Sequence, residues 1–73
     1  MGEMPVRSEL NAVVLKIEVA PGDRVEEGDT LIVLESMKME IPVSAPRAGT
    51  VAAILVEEKQ TVEEGQKIVV LGA

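Results

Sequence analysis

The sequence predicts an all-β fold, a small sandwich or flattened barrel assembled from two copies of about four short strands. Three observations carry this expectation. Val, Ile and Leu supply 23 of the 73 residues, Val alone supplies 12, and Phe, Tyr and Trp are absent, an enrichment in β-branched side chains that suits a pleated surface. The chain also copies itself: residues 4–36 superpose on residues 41–73 at an offset of 37 without a gap, with 11 identities in 33 positions, against roughly two expected from average residue usage. Finally, turn residues break the apolar runs every few positions and no helical period develops. A period near 37 is shared with solenoid repeats, but those need three or more units, so two copies make a closed pseudo-twofold object.

In chain order, residues 6–10 read as a first short strand, with Pro5 ahead of it where no ladder donor is needed. Over residues 11–19, Val13, Leu15, Ile17 and Val19 alternate with Val14, Lys16 and Glu18, the period-two signal of a half-buried strand. Pro21, Gly22 and Asp23 turn the chain, Val25 is a lone apolar anchor, and Glu26, Glu27, Gly28 and Asp29 turn it again. Residues 31–34 form a short apolar strand. The second copy repeats the scheme with strands at 41–43, 51–56 and 68–71, turns at 46–49 and 62–65, and Val62 as the second anchor. The glycines of the Glu-Glu-Gly turns, Gly28 and Gly65, are suited to a positive φ. Their acidic neighbours read as solvated turn charges, since adjacent carboxylates do not converge on one reacting atom.

Size and charge narrow the function classes. Seventy-three residues make a single domain, residues 1–73, whose repeat halves are 4–36 and 41–73. A formal charge of −6 without any aromatic side chain opposes binding to nucleic acid, which asks for a basic face and stacking platforms, and to an anionic membrane. The longest apolar run, residues 51–56, is too short to span a bilayer, and the N-terminus lacks a signal-peptide pattern. No metal site is expected, because His and Cys are both absent. A cytoplasmic setting follows as the default.

The four residues between the copies, Met37, Lys38, Met39 and Glu40, hold the candidate chemistry. The connection from Leu34 to Ile41 is short enough for a tight hairpin with Met37 and Lys38 at its centre. Such turns ordinarily take Asn-Gly, and a local exception of this kind marks a functional position. If the halves are related by a twofold, this connection lies at the opposite end from both chain termini. Two thioethers flanking an amine on an exposed turn stabilise little unless a partner reads them.

The stretch Glu35-Ser36-Met37-Lys38-Met39, followed by Glu40, resembles the attachment motif of the biotinyl/lipoyl carrier domains, in the biotin carboxyl carrier branch, where the usual form is Glu-Ala-Met-Lys-Met. The resemblance extends over residues 4–71 and includes the Pro-Gly-Asp turn at 21–23, the Val-x-x-Gly turns ending at Gly28 and Gly65, and the Ala-Pro-x-x-Gly turn at 45–49. Ser36 replaces Ala, the corner at residues 9–12 departs from the second copy's turn, and the chain runs from Val19 to Val25 without the insertion that forms a protruding thumb in some members.

This resemblance implies two four-stranded sheets related by a quasi-twofold, with Lys38 on the hairpin between the fourth and fifth strands. It implies covalent biotin on Lys38, with Glu35, Ser36, Met37, Met39 and Glu40 recognised by a biotin protein ligase. A water-exposed lysine amine is almost wholly protonated at neutral pH and does not attack a free carboxylate unaided, so the ligase must supply an activated acyl group, biotinyl-adenylate in this family. The implied role is that of a non-catalytic carrier, which takes carboxybiotin from a biotin carboxylase to a carboxyltransferase, tethering raising its effective concentration. Two other readings keep the fold: a lipoyl carrier of an oxo-acid dehydrogenase complex, whose lysine usually follows Asp, and an unmodified structural hairpin module. Intact mass separates all three.

Overall fold

The computed structural model describes residues 2–72. Eight strands follow one another: β1 (Met4–Arg7), β2 (Ala12–Ile17), β3 (Arg24–Val25), β4 (Thr30–Ser36), β5 (Met39–Ser44), β6 (Gly49–Ile54), β7 (Thr61–Val62) and β8 (Lys67–Gly72). They form two antiparallel four-stranded sheets, ordered β1-β8-β6-β3 and β5-β4-β2-β7. Adding 37 to the residue numbers of one half turns β1, β2, β3 and β4 into β5, β6, β7 and β8, and turns the first sheet into the second. The pseudo-twofold expected from the repeat therefore exchanges the sheets.

Hydrogen bonds obey the same symmetry even where the residues differ. Gly28 N donates to the Ala45 carbonyl at 2.9 Å, and Gly65 N donates to the Ser8 carbonyl at 2.8 Å. In the matching turns, Asp29 Oδ2 accepts from Glu26 N at 2.9 Å and Gln66 Oε1 accepts from Glu63 N at 3.0 Å. Asp23 and Gln60 repeat the device, accepting from Ala20 N and Glu57 N. An amide oxygen and a carboxylate oxygen are interchangeable here because the turn asks only for an acceptor.

Between the sheets lies an aliphatic core in which Val14, Leu31, Ile32, Leu34, Val62, Ile68, Val69 and Leu71 are fully buried. Burying each such side chain contributes roughly 1.5–3 kcal/mol, which lets a chain without cysteine, and so without disulfides, hold together. The first strand is Met4–Arg7, displaced from the expected 6–10, because Ser8 leaves the ladder: its buried hydroxyl donates to the Leu10 carbonyl at 2.6 Å and makes the corner. In the second copy the same corner carries Ala45 and Pro46.

The inward face of β2 is opposite in phase to simple alternation over its first half. Ala12 and Val14 are buried, whereas Val13 and Leu15 are 39% and 40% exposed. Val14 pairs with Leu34 and Lys16 with Val33, so Leu15 is an extra residue in the ladder, and after this bulge Ile17 turns inward to pack on the core. Ala52 makes the equivalent bulge in β6, between Val51 and Ala53. A second pair of bulges falls at Leu31 and Ile68. There, two adjacent residues, Leu31 with Ile32 and Ile68 with Val69, are both buried, which a regular pleat forbids. All four bulges obey the 37-residue offset.

Candidate functional site

Beyond the bulge at Leu31, β4 and β5 pair without interruption from Ile32 opposite Val43 to Ser36 opposite Met39, leaving Met37 and Lys38 as a two-residue turn. Both lie in the left-handed region, Met37 at φ 55° and Lys38 at φ 67°, the pattern of a type I′ turn, whose twist matches that of the flanking strands. Only glycine, and less readily Asn or Asp, takes this conformation at low cost, so the turn holds the lysine in a posture its side chain does not favour. Lys38 is exposed; Met37 is 90% and Met39 64% exposed. Neither thioether belongs to the core.

The six sequence-predicted residues do come together, at one hairpin tip. Glu35 and Glu40 face each other across the ladder, Glu35 and Ser36 half-buried and Glu40 exposed. Opposed like charges weaken a strand pair, so this arrangement does not serve the hairpin's own stability. The register also places Val13 opposite Glu35 on the other side of β4. Sequence alternation assigns Val13 to the inward face, and nothing in the adjacent pair Val13-Val14 could tell which of the two points out. The structure thus adds an exposed apolar neighbour at the hairpin's base.

The chain termini themselves fall outside the described residues, but Gly2 and the paired Met4 and Leu71 beside it lie away from this tip. The Gly2 carbonyl accepts from Arg47 Nη2 at 3.4 Å, and Arg47 follows the Ser44 end of β5, the end remote from Met39. A groove of about 470 Å³ runs between β1 and β5, lined by Pro5, Val6, Ile41, Pro42 and Val43 among others. Both strands are sheet edges, and each carries a proline, which removes a backbone donor and discourages pairing with another chain. Lys38 does not line this groove. Of the other lysines, Lys59 also has a positive φ, 75°, but its amide donates to the Val14 carbonyl at 2.7 Å and fastens that turn against β2, with no thioether beside it.

The family model described as biotin-requiring enzyme, covering biotin and lipoyl attachment, matches residues 3–71. The chain belongs to the biotinyl/lipoyl attachment domain family. It is 46% identical over 66 residues to a biotinylated protein TB7.3 homolog of Mycobacterium leprae, covering 90% of this chain and 93% of that protein. It is 45% identical over 58 residues to a biotin carboxyl carrier protein of Streptococcus mutans, covering 80% of this chain and 45% of the other. Among solved structures, the urea carboxylase of Kluyveromyces lactis superposes with a TM-score of 0.92 at 35% identity, covering 99% of this chain and 6% of the carboxylase. A biotinyl or lipoyl domain is accordingly the unit that these two four-stranded sheets build, and among the described residues no helix is long and apolar enough to cross a membrane.

Proposed function

We propose that residues 1–73 form one biotin carboxyl carrier domain in which Lys38 is the single acceptor of covalent biotin. The observation that supports this most directly is the presentation of Lys38: a primary amine at the tip of a left-handed two-residue turn, exposed, between two exposed thioethers. An amide link to a cofactor's carboxyl asks for an amine that a partner enzyme can reach. Lys38 fits that demand, whereas the Ser36 hydroxyl beside it is half-buried and a weaker nucleophile.

In this reading Lys38 Nζ loses a proton to a base of the biotin protein ligase and bonds to the acyl carbon of biotinyl-adenylate held there, as the acyl–phosphate C–O bond breaks and AMP leaves. Met37 and Met39 fill apolar depressions on the ligase, and Glu35, Ser36 and Glu40 fix the register of the hairpin on it. Bound biotin supplies a ureido nitrogen that takes up and gives back a carboxyl group. The remainder of the work is done by geometry: the rigid hairpin sets the origin of the lysine stem, and the stem's free rotations give it reach between a biotin carboxylase and a carboxyltransferase. The domain itself is not an enzyme, and its setting is cytoplasmic.

The Met-Lys-Met context and the relatives bearing biotin in their names favour biotin over lipoate. The test is intact mass after co-expression with a biotin protein ligase. One biotinyl addition is expected, and Lys38→Arg removes it with the melting curve unchanged, since Arg retains the charge without being a usable acyl acceptor. Streptavidin binding that survives Lys38→Arg would refute the assignment, and a lipoyl mass on Lys38 would replace biotin with the alternative cofactor.

A further inference from the structure

The chain contains no Cys, His, Trp or Tyr, so its thioethers are the side chains that mild oxidants attack first. Two of its four methionines flank the proposed acceptor amine. Met37 and Met39 are 90% and 64% exposed, whereas Met4 is half-buried in β1. We infer that Met37 and Met39 are a reversible oxidation site, at which conversion to the sulfoxide withdraws the Lys38 hairpin from its ligase. This rests on the reading of the hairpin as a ligase substrate.

The chemistry balances with hydrogen peroxide as oxidant. A sulfur lone pair attacks one peroxide oxygen, an S–O bond forms as the O–O bond breaks, and the second oxygen leaves as water with both peroxide protons. The thioether loses two electrons to become a sulfoxide. A dithiol, acting through methionine sulfoxide reductases, removes the oxygen as water and is itself oxidised to a disulfide.

The consequence follows from where the two side chains are used. In the free domain they bury little surface, so oxidation leaves both the core and the turn intact. In a ligase complex they are the apolar part of the hairpin, and each sulfoxide would carry a strong hydrogen-bond acceptor into an apolar depression that offers it no donor. Oxidation thereby lowers recognition without unfolding the carrier, and domains that already carry biotin keep it.

The experiment uses the unbiotinylated protein, treated with hydrogen peroxide, quenched with catalase, and divided. Peptide mapping of one portion is expected to find Met37 and Met39 oxidised before Met4, with an unaltered melting curve. In the other portion, kcat/KM for biotinylation is expected to fall about tenfold or more, the cost of burying an unpaired polar group, and to recover after treatment with both sulfoxide reductase types and dithiothreitol. A Met37→Leu/Met39→Leu variant should have the same rate before and after peroxide, whatever that rate is. Oxidation of Met4 ahead of the hairpin methionines, or an oxidised protein biotinylated as fast as the untreated one, overturns the inference. Failure of the untreated protein to be modified at Lys38 would instead strike the carrier reading, so the two outcomes are distinguishable.

Discussion

Met37 and Lys38 occupy backbone angles that cost an L-residue with a Cβ roughly 1–2 kcal/mol each relative to glycine, so the tip of the β4–β5 hairpin is held up by the strands beneath it. The six-residue register from Thr30–Ser44 to Ser36–Met39 and the buried Ile32 and Leu34 supply that support. Replacing the tip with the residues the turn prefers, Met37→Asn with Lys38→Gly, is therefore expected to stabilise the domain by about 1–2 kcal/mol while abolishing biotin acceptance. The shift of the urea midpoint measures the first effect and intact mass the second; a loss of stability would mean that Met37 or Lys38 makes contacts the free domain depends on. Changing Met37 alone to Gln separates recognition from folding. At 90% exposure, it should alter stability by no more than about 0.5 kcal/mol and still slow biotinylation.

At the scale of elements, the hairpin and the glycine-marked turns were legible because each depends on residue type or on the repeat, whereas the two four-stranded sheets were expected from the family resemblance. The offset of 37 fixes which strands are equivalent, Gly28 and Gly65 mark positive φ at 92° and 87°, and the Met-Lys-Met stretch marks the tip. The bulges were not legible. Leu15, Ala52, Leu31 and Ile68 are ordinary strand residues, and an extra residue in one strand is defined only by its partner strand. In β2 the bulge at Leu15 separates a stretch in which Val13 faces outward from one in which Ile17 faces inward, so simple alternation misassigns Val13 and Leu15. Gly49 makes a complementary point: a Cβ there would collide with the Gly72 carbonyl in the adjoining strand β8, whereas its counterpart Ala12 carries a methyl group buried in the core. Gly49→Ala is expected to destabilise the domain by about 1–3 kcal/mol through forced backbone separation, read by denaturant unfolding. An unchanged midpoint would show that the β6–β8 pairing yields at little cost.

For the molecule as a whole, the body measures 36 × 18 × 17 Å, with the lysine hairpin projecting where the strands β4 and β5 end and Gly2 lying by Arg47 at the far end of β5. This polarity leaves the hairpin clear of the Gly2 end of the body, free to enter another protein's active site. The remaining surface carries most of the net charge of −6 and, on the proposed carrier reading, is expected to face solvent during each visit. A carrier must also leave one site before reaching the next, so its docking should be weak and short-lived. Catalysis by the domain would require groups that bind a nucleotide and converge on the carboxyl being transferred; the lysine tip stands on a convex hairpin and supplies none of that enclosure. The purified biotinylated domain is thus expected to take up no label from bicarbonate and ATP alone, and to become labelled once a biotin carboxylase is added, with Lys38→Arg unlabelled in both cases. Labelling of the domain on its own would make it an enzyme, and a biotinylated domain that no carboxylase labels would sever Lys38 from carboxyl transfer while leaving its modification intact.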